Sequence, residues 1–177
     1  MRGYFAIGIE GVTKQMNLGN LFRTAHGFGA QFVFTLEKAY QAKESKSDTS
    51  AIEKNIPLFH YDTVDEMDLP KGCQLVGIEL CDEAIELPSF RHPRMAAYIL
   101  GAERLGMSEE LVARCDHVIQ IPTSFCLNVA TAGAIVMYDR MISLGKYAER
   151  PVKAGGPTEA LPKHSHGLPI MRKLQDK

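Results

Sequence analysis

Short apolar runs and amphipathic stretches alternate along most of this chain. Residues 4–9 are apolar at almost every position, the pattern of a strand buried on both faces. Residues 18–28 follow with Leu18, Leu21, Phe22 and Ala25 at helical spacing, and Gly27 and Gly29 offer a stop. Further apolar runs predict strands at 31–36, 57–60, 73–80, 95–100 and 117–121. A short helix is expected at 109–114, a long one at 127–144, a helical turn at 63–67 and another short helix near 49–55. Residues 41–50, polar and bearing serine and lysine, read as a mobile loop. Strands alternating with helices predict an α/β fold, one mostly parallel sheet flanked by helices.

From residue 150 the periodicity fades into prolines, glycines and the run Lys163-His-Ser-His166. The expected organisation is one domain over 1–149 and a flexible, basic tail over 150–177. A length of 177 residues suits one domain with a substantial core. No apolar run approaches the roughly 18 residues of a membrane span, and the N-terminus has no secretory core. Cys73, Cys81, Cys115 and Cys126 lack C-x-x-C spacing. That argues against a disulfide framework or a zinc site and fits a reducing, cytoplasmic setting. His164 and His166 read as solvated rather than as metal ligands, and no metal is expected. Residues 1–150 carry 15 basic and 19 acidic side chains, and the remainder five and two. This balance excludes a globally basic nucleic-acid binder but leaves room for a local basic surface.

Candidate chemistry concentrates where predicted strands end. After the first strand comes Asn17-Leu-Gly-Asn-Leu-Phe-Arg-Thr-Ala25, after another Leu100-Gly-Ala-Glu-Arg-Leu-Gly106, and after the last Ile119-Gln-Ile-Pro122 running into Cys126-Leu-Asn-Val-Ala130. Strand-end loops are where α/β proteins place ligand-binding backbone. A glycine such as Gly101 lets backbone approach a ligand, and Pro122 ends a strand for want of a ladder donor. Taken singly, Gly101, Gly106 and Pro122 are ordinary turn residues. Asn17 alone reads as a helix N-cap. Arg23, about 1.7 turns beyond it, lies on a different helical face and projects from a partly buried helix. No G-x-G-x-x-G follows the first strand and no phosphate-binding G-x-x-x-x-G-K-[ST] occurs, so nicotinamide and ATP chemistry lack their cradle.

As an ordered set, the three segments resemble the motifs of the SpoU/TrmH-type RNA ribose methyltransferases of the SPOUT superfamily. Residues 17–25 match N-x-G-x-x-x-R-[ST]-A, and residues 100–106 match L-G-x-E-x-x-G. Residues 119–122 and 127–130 match I-x-I-P followed by L-N-V-[AS]. The resemblance implies S-adenosylmethionine-dependent methylation of RNA at a ribose 2′-hydroxyl, with tRNA favoured over rRNA. It also implies a C-terminal trefoil knot and a homodimer whose active site is shared between subunits. By position, Arg23 matches the catalytic arginine, Asn17 the leading asparagine, Glu103 the acidic residue and Asn128 the third-motif asparagine. Gly101, Ile121 and Leu127 match positions whose backbone holds the adenosyl group, and Ile78, Leu100, Gly106, Pro122 and Cys126 join them as cofactor-binding candidates. Because an arginine stays protonated, Arg23 is read as gripping the phosphate beside the target ribose, with a proton-accepting role left open. Cys126 stands where the family commonly has serine, and its expected state is burial as a small hydrophobe. A base-methylating relative and a cofactor- and RNA-binding protein without turnover are the alternatives.

Overall fold

The computed structural model describes residues 3–11, 14–37, 55–102, 105–151 and 153–156. The chain divides into two units, Met1–Gly145 and Lys146–Lys177, a division a few residues before the expected boundary at 149. In the second unit the described residues form coil with a turn closed by Gly156 N–H donating to Lys153 O. The predicted loop at 41–50, most of the helix near 49–55 and the tail beyond 156 lie outside the described residues.

Among its described residues the first unit has seven strands: β1 (Tyr4–Glu10), β2 (Phe32–Leu36), β3 (Leu58–Tyr61), β4 (Gln74–Ile78), β5 (Ile85–Glu86), β6 (Met95–Leu100) and β7 (His117–Gln120). Their order is β3-β2-β1-β6-β4-β7-β5, and every pairing is parallel. Among the described residues three α-helices accompany them: α1 (Gln15–Gly27), α2 (Glu109–Arg114) and α3 (Val129–Leu144). The expected α/β sheet is therefore present. β5 went unpredicted because two residues carry no readable period. The turn at 63–67 is a turn closed by Met67 N–H on Val64 O and not a helix.

Alternation along each strand sorts side chains to two faces. Phe5, Ile7 and Ile9 of β1, with Val76, Ile78, Ala96, Tyr98 and Leu100, join Leu21, Phe22 and Ala25 of α1 and Val136 of α3 in one core. Ala6, Phe34, Leu75, Ala97 and Ile99 form the other core with Met107 and Leu111 at the base of α2. α1 and α3 pack closely because Gly133 has no side chain: a Cβ there would stand 2.3 Å from Leu21 Cδ1. α1 begins at Gln15 behind a Lys14 N-cap with no side-chain cap bond, so Asn17 sits inside the first turn. The expected N-cap role of Asn17 is corrected accordingly: its own N–H already donates to Lys14 O at 3.0 Å, and the helix has begun.

At the amino ends of β1 and β6, α3 is tied down by a buried arginine. Arg140 is 2% exposed. Its Nη1 donates to Pro93 O and to the Tyr98 hydroxyl, and its Nη2 donates to Tyr4 O and Arg94 O. The guanidinium also lies over the Phe5 and Tyr98 rings, at 5.4 and 5.9 Å from their centroids. Buried His92 bridges Tyr98 OH (2.6 Å from Nδ1) and Asp139 Oδ2 (2.9 Å from Nε2). With Nε2–H donating to the carboxylate, Nδ1 accepts from the tyrosine hydroxyl. Burial lowers the His92 pKa despite Asp139 and pushes the Tyr98 phenol up to about 12 despite Arg140.

Candidate active site

Register places Ile78 beside both Leu100 and Ile119, so the carboxyl ends of β4, β6 and β7 lie side by side. A cleft of about 220 Å³ opens there. Ile78, Glu79 and Leu80 line it from the end of β4, and Leu100, Gly101, Ala102 and Gly106 from the end of β6. Gln120, Ile121, Thr123, Cys126 and Leu127 contribute from β7 onward, with Val129 and Ala132 from the start of α3. Mostly apolar walls broken by strand-end backbone suit a flat heterocycle with polar edges.

The second motif is a loop folded back on itself. Ala102 and Gly106 exchange two backbone hydrogen bonds, 3.2 and 2.9 Å long. A Cβ on Gly101 would stand 2.2 Å from Gly106 C and 2.3 Å from Met107 N, so glycine is needed for the loop's own backbone to close. That sharpens the sequence reading, in which the glycine served close approach of a ligand. Gly106 adopts φ +69, the left-handed region that favours glycine.

Two carboxylates hold this loop from beneath. Glu79 Oε2 accepts from Met107 N–H at 2.7 Å, and its Oε1 accepts from Leu80 N–H at 2.9 Å. Glu10, at the end of β1 and 3% exposed, accepts from both the N–H and the hydroxyl of Ser108. Ser108 caps α2 by accepting from Leu111 N–H. The sequence reading missed both acids. The available signal was a lone carboxylate directly after a buried apolar run.

In the third motif, Thr123 N–H donates to Ile121 O at 2.8 Å and its hydroxyl to Phe125 O at 2.9 Å. Asn128 is the N-cap of α3, its Oδ1 accepting from Ala130 and Thr131 N–H. That cap sets Leu127 and Val129, both cleft residues, on either side of it. Cys126 corrects an expectation: it is exposed and lines the cleft, because the 123–126 segment bends on its own hydrogen bonds instead of packing into the core.

Seven of the eight predicted cofactor residues thus share one cleft: Ile78, Leu100, Gly101, Gly106, Ile121, Cys126 and Leu127. Pro122 is exposed and does not line it. Asn17, Arg23 and Asn128 do not line it either; Arg23 is exposed on α1 and Asn17 is half-buried. Glu103 lies outside the described residues. Phe125 (85% exposed) and Leu105 (88%) stand out from the two loops that bound the cleft. Among the described residues, no group of three or more His, Cys, Asp or Glu is placed to hold a metal ion, and no helix is long and apolar enough to cross a membrane.

Comparison with known proteins agrees with this geometry. The mouse tRNA (guanosine(18)-2′-O)-methyltransferase TARBP1 is 28% identical over 138 residues, covering 72% of this chain and 9% of its own length. The tRNA (guanosine(18)-2′-O)-methyltransferase of Escherichia coli K12 is 23% identical over 137 residues, covering 74% of this chain and 60% of its own. This chain therefore spans less than two thirds of the length of either relative. The crystal structure of the SpoU methyltransferase AviRb from Streptomyces viridochromogenes, in complex with the cofactor AdoMet, superposes with a TM-score of 0.70 at 21% identity. It covers 82% of this chain and 60% of its own. The model of the SpoU rRNA methylase family matches residues 4–138, which include all three motifs, and the chain belongs to that family.

Proposed function

We propose that this chain is an S-adenosylmethionine-dependent RNA methyltransferase acting on a ribose 2′-hydroxyl, with tRNA as the favoured substrate. The observation that carries the reading is the single cleft at the ends of β4, β6 and β7, where second and third family motifs meet. When bound, S-adenosylmethionine supplies a methyl group already activated on a sulfonium, so no metal is required. The residues of the chain hold and align. Leu100, Ile121 and Leu127 enclose the adenosyl group, and Gly101 lets the second-motif loop close at its edge. Asn128 fixes the start of α3 and so the position of Leu127. Glu103 keeps the role the motif assigns it. Phe125, exposed at the rim, suits an unstacked RNA base.

Arg23 grips the phosphate beside the target ribose. It does not line the cleft of its own chain, which supports a homodimer whose partner supplies that arginine. Asn17, six residues earlier in the same helix, belongs with it on that reading. A C-terminal trefoil knot belongs to the same reading, on the strength of the family motifs. A cytoplasmic location goes with RNA modification and with four free thiols.

The test is methyl transfer from labelled S-adenosylmethionine to bulk tRNA and rRNA, followed by nucleoside analysis. A 2′-O-methylated nucleoside in tRNA is the expected product; a methylated base, or cofactor binding without transfer, overturns the ribose assignment. Arg23→Lys is expected to leave cofactor affinity intact within about twofold while removing most turnover, because lysine loses the bidentate phosphate grip. Turnover at the unsubstituted rate in that variant would reject the role.

A further inference from the structure

Of the described side chains that line the cleft, Glu79 is the one carboxylate, and no lysine, arginine or histidine is among them. Its surroundings make that charge purposeful. The carboxylate is half-buried at the end of β4 and accepts from two backbone N–H groups, Met107 at 2.7 Å and Leu80 at 2.9 Å. No cationic side chain among the described residues forms an ion pair with it. A carboxylate has about four acceptor positions, so two backbone donors leave it both anchored and able to act on the cleft. Its rotamer is fixed by those donors, and a Cβ on Gly106 would stand 2.8 Å from Oε2. Glycine at 106 therefore leaves the space that the carboxylate occupies at the cleft wall.

The ligand proposed for this cleft changes charge on reaction. S-adenosylmethionine carries a sulfonium cation, and its product S-adenosylhomocysteine is a neutral thioether at the same atom. A fixed negative charge in a partly desolvated wall favours the first over the second. We infer that Glu79 is the residue that makes the cleft discriminate methyl donor from spent product, by charge, while its backbone bonds hold the second-motif loop in shape. This rests on the cofactor reading above and is independent of the RNA target or its methylated atom. It makes Glu79 a positioning and selectivity residue; the methyl transfer itself does not pass through it.

Calorimetric titration of both nucleosides into the unsubstituted protein and into Glu79→Gln tests it. The unsubstituted protein should bind S-adenosylmethionine more tightly than S-adenosylhomocysteine. Glu79→Gln should lower affinity for the donor by about three- to tenfold more than affinity for the product. Equal losses for both ligands would mean that Glu79 acts through loop shape alone, and unchanged affinities would mean that it acts on neither; each overturns the inference. Salt gives a second reading that needs no variant: the donor-to-product affinity ratio of the unsubstituted protein should narrow as ionic strength rises. A ratio that stays constant with salt counts against the charge assignment even if Glu79→Gln fails to fold. Binding of neither nucleoside by the unsubstituted protein would overturn the cofactor reading itself, and this inference with it.

Discussion

At the amino ends of β1 and β6, the space between sheet and α3 is filled by polar side chains, whereas at the carboxyl ends of β4, β6 and β7 it stays open. The first region uses Arg140, Tyr98, His92 and Asp139, linked one to the next, and four of the contacts are arginine donors reaching oxygen. Among the described residues, Nε of Arg140 is buried there without a hydrogen-bond partner. The second region uses backbone against backbone, with Gly101 and Gly106 where side chains would collide. One end fastens a helix to the sheet, and the other preserves a void with shaped edges. Stability and ligand binding are thus assigned to opposite ends of the same strands, and substitutions should separate them.

Arg140→Leu should have the largest effect on folding. It removes the donors that reach three carbonyls and a hydroxyl in a buried site, which should cost about 3–5 kcal/mol of unfolding free energy in a denaturant titration. Cofactor affinity of the folded fraction should stay within about twofold, and a large loss there would merge the two regions into one. Gly101→Ala should do the reverse. Its Cβ collides with backbone that cannot swing aside, so cofactor affinity should fall by at least about thirtyfold, close to 2 kcal/mol. Melting temperature should drop less than for Arg140→Leu, and a methyl group accepted without loss of affinity would show that the loop relaxes.

The smallest effect is expected from pH. Burial lowers the His92 pKa, with Asp139 opposing and Arg140 adding to the shift. The folded protein therefore holds fewer protons than the unfolded chain just below the ordinary histidine value near 6.5. The stabilising contribution of neutral His92 is complete above that value and is lost as pH falls from there through the lower folded pKa, by no more than about 1.4 kcal/mol per pH unit. In His92→Gln the stability curve should be flatter over the same window, and an unchanged slope would remove His92 as its source.

Most of the scaffold could be read from the chain because buried parallel strands leave long apolar runs. β1, β2, β4, β6 and β7 all announced themselves that way, and the helical spacing of Leu18, Leu21, Phe22 and Ala25 gave α1 its buried face. The cleft was legible for a different reason: its walls are motif residues at strand ends. What escaped were features whose meaning lies in three dimensions. Glu79 and Glu10 look like surface acids until Met107 and Ser108 are brought over them. Arg140 offered a clue, a cation among apolar residues in 129–144, but its acceptors lie at least 42 residues away in sequence. Cys126 was misjudged because its type suggested burial, while the local turn made by Thr123 turned the segment outward.

The order of the strands also bears on how the chain is made. β6 stands between β1 and β4, and β7 between β4 and β5, so late segments complete neighbours laid down much earlier. A nascent chain that has reached residue 90 has β1 and β4 available but lacks the strand that joins them. Its apolar edges wait for residues 95–100 and then 117–120 to leave the ribosome tunnel. During that interval the half-made protein is a template for mispairing, and its dependence on chaperones should be set by elongation speed.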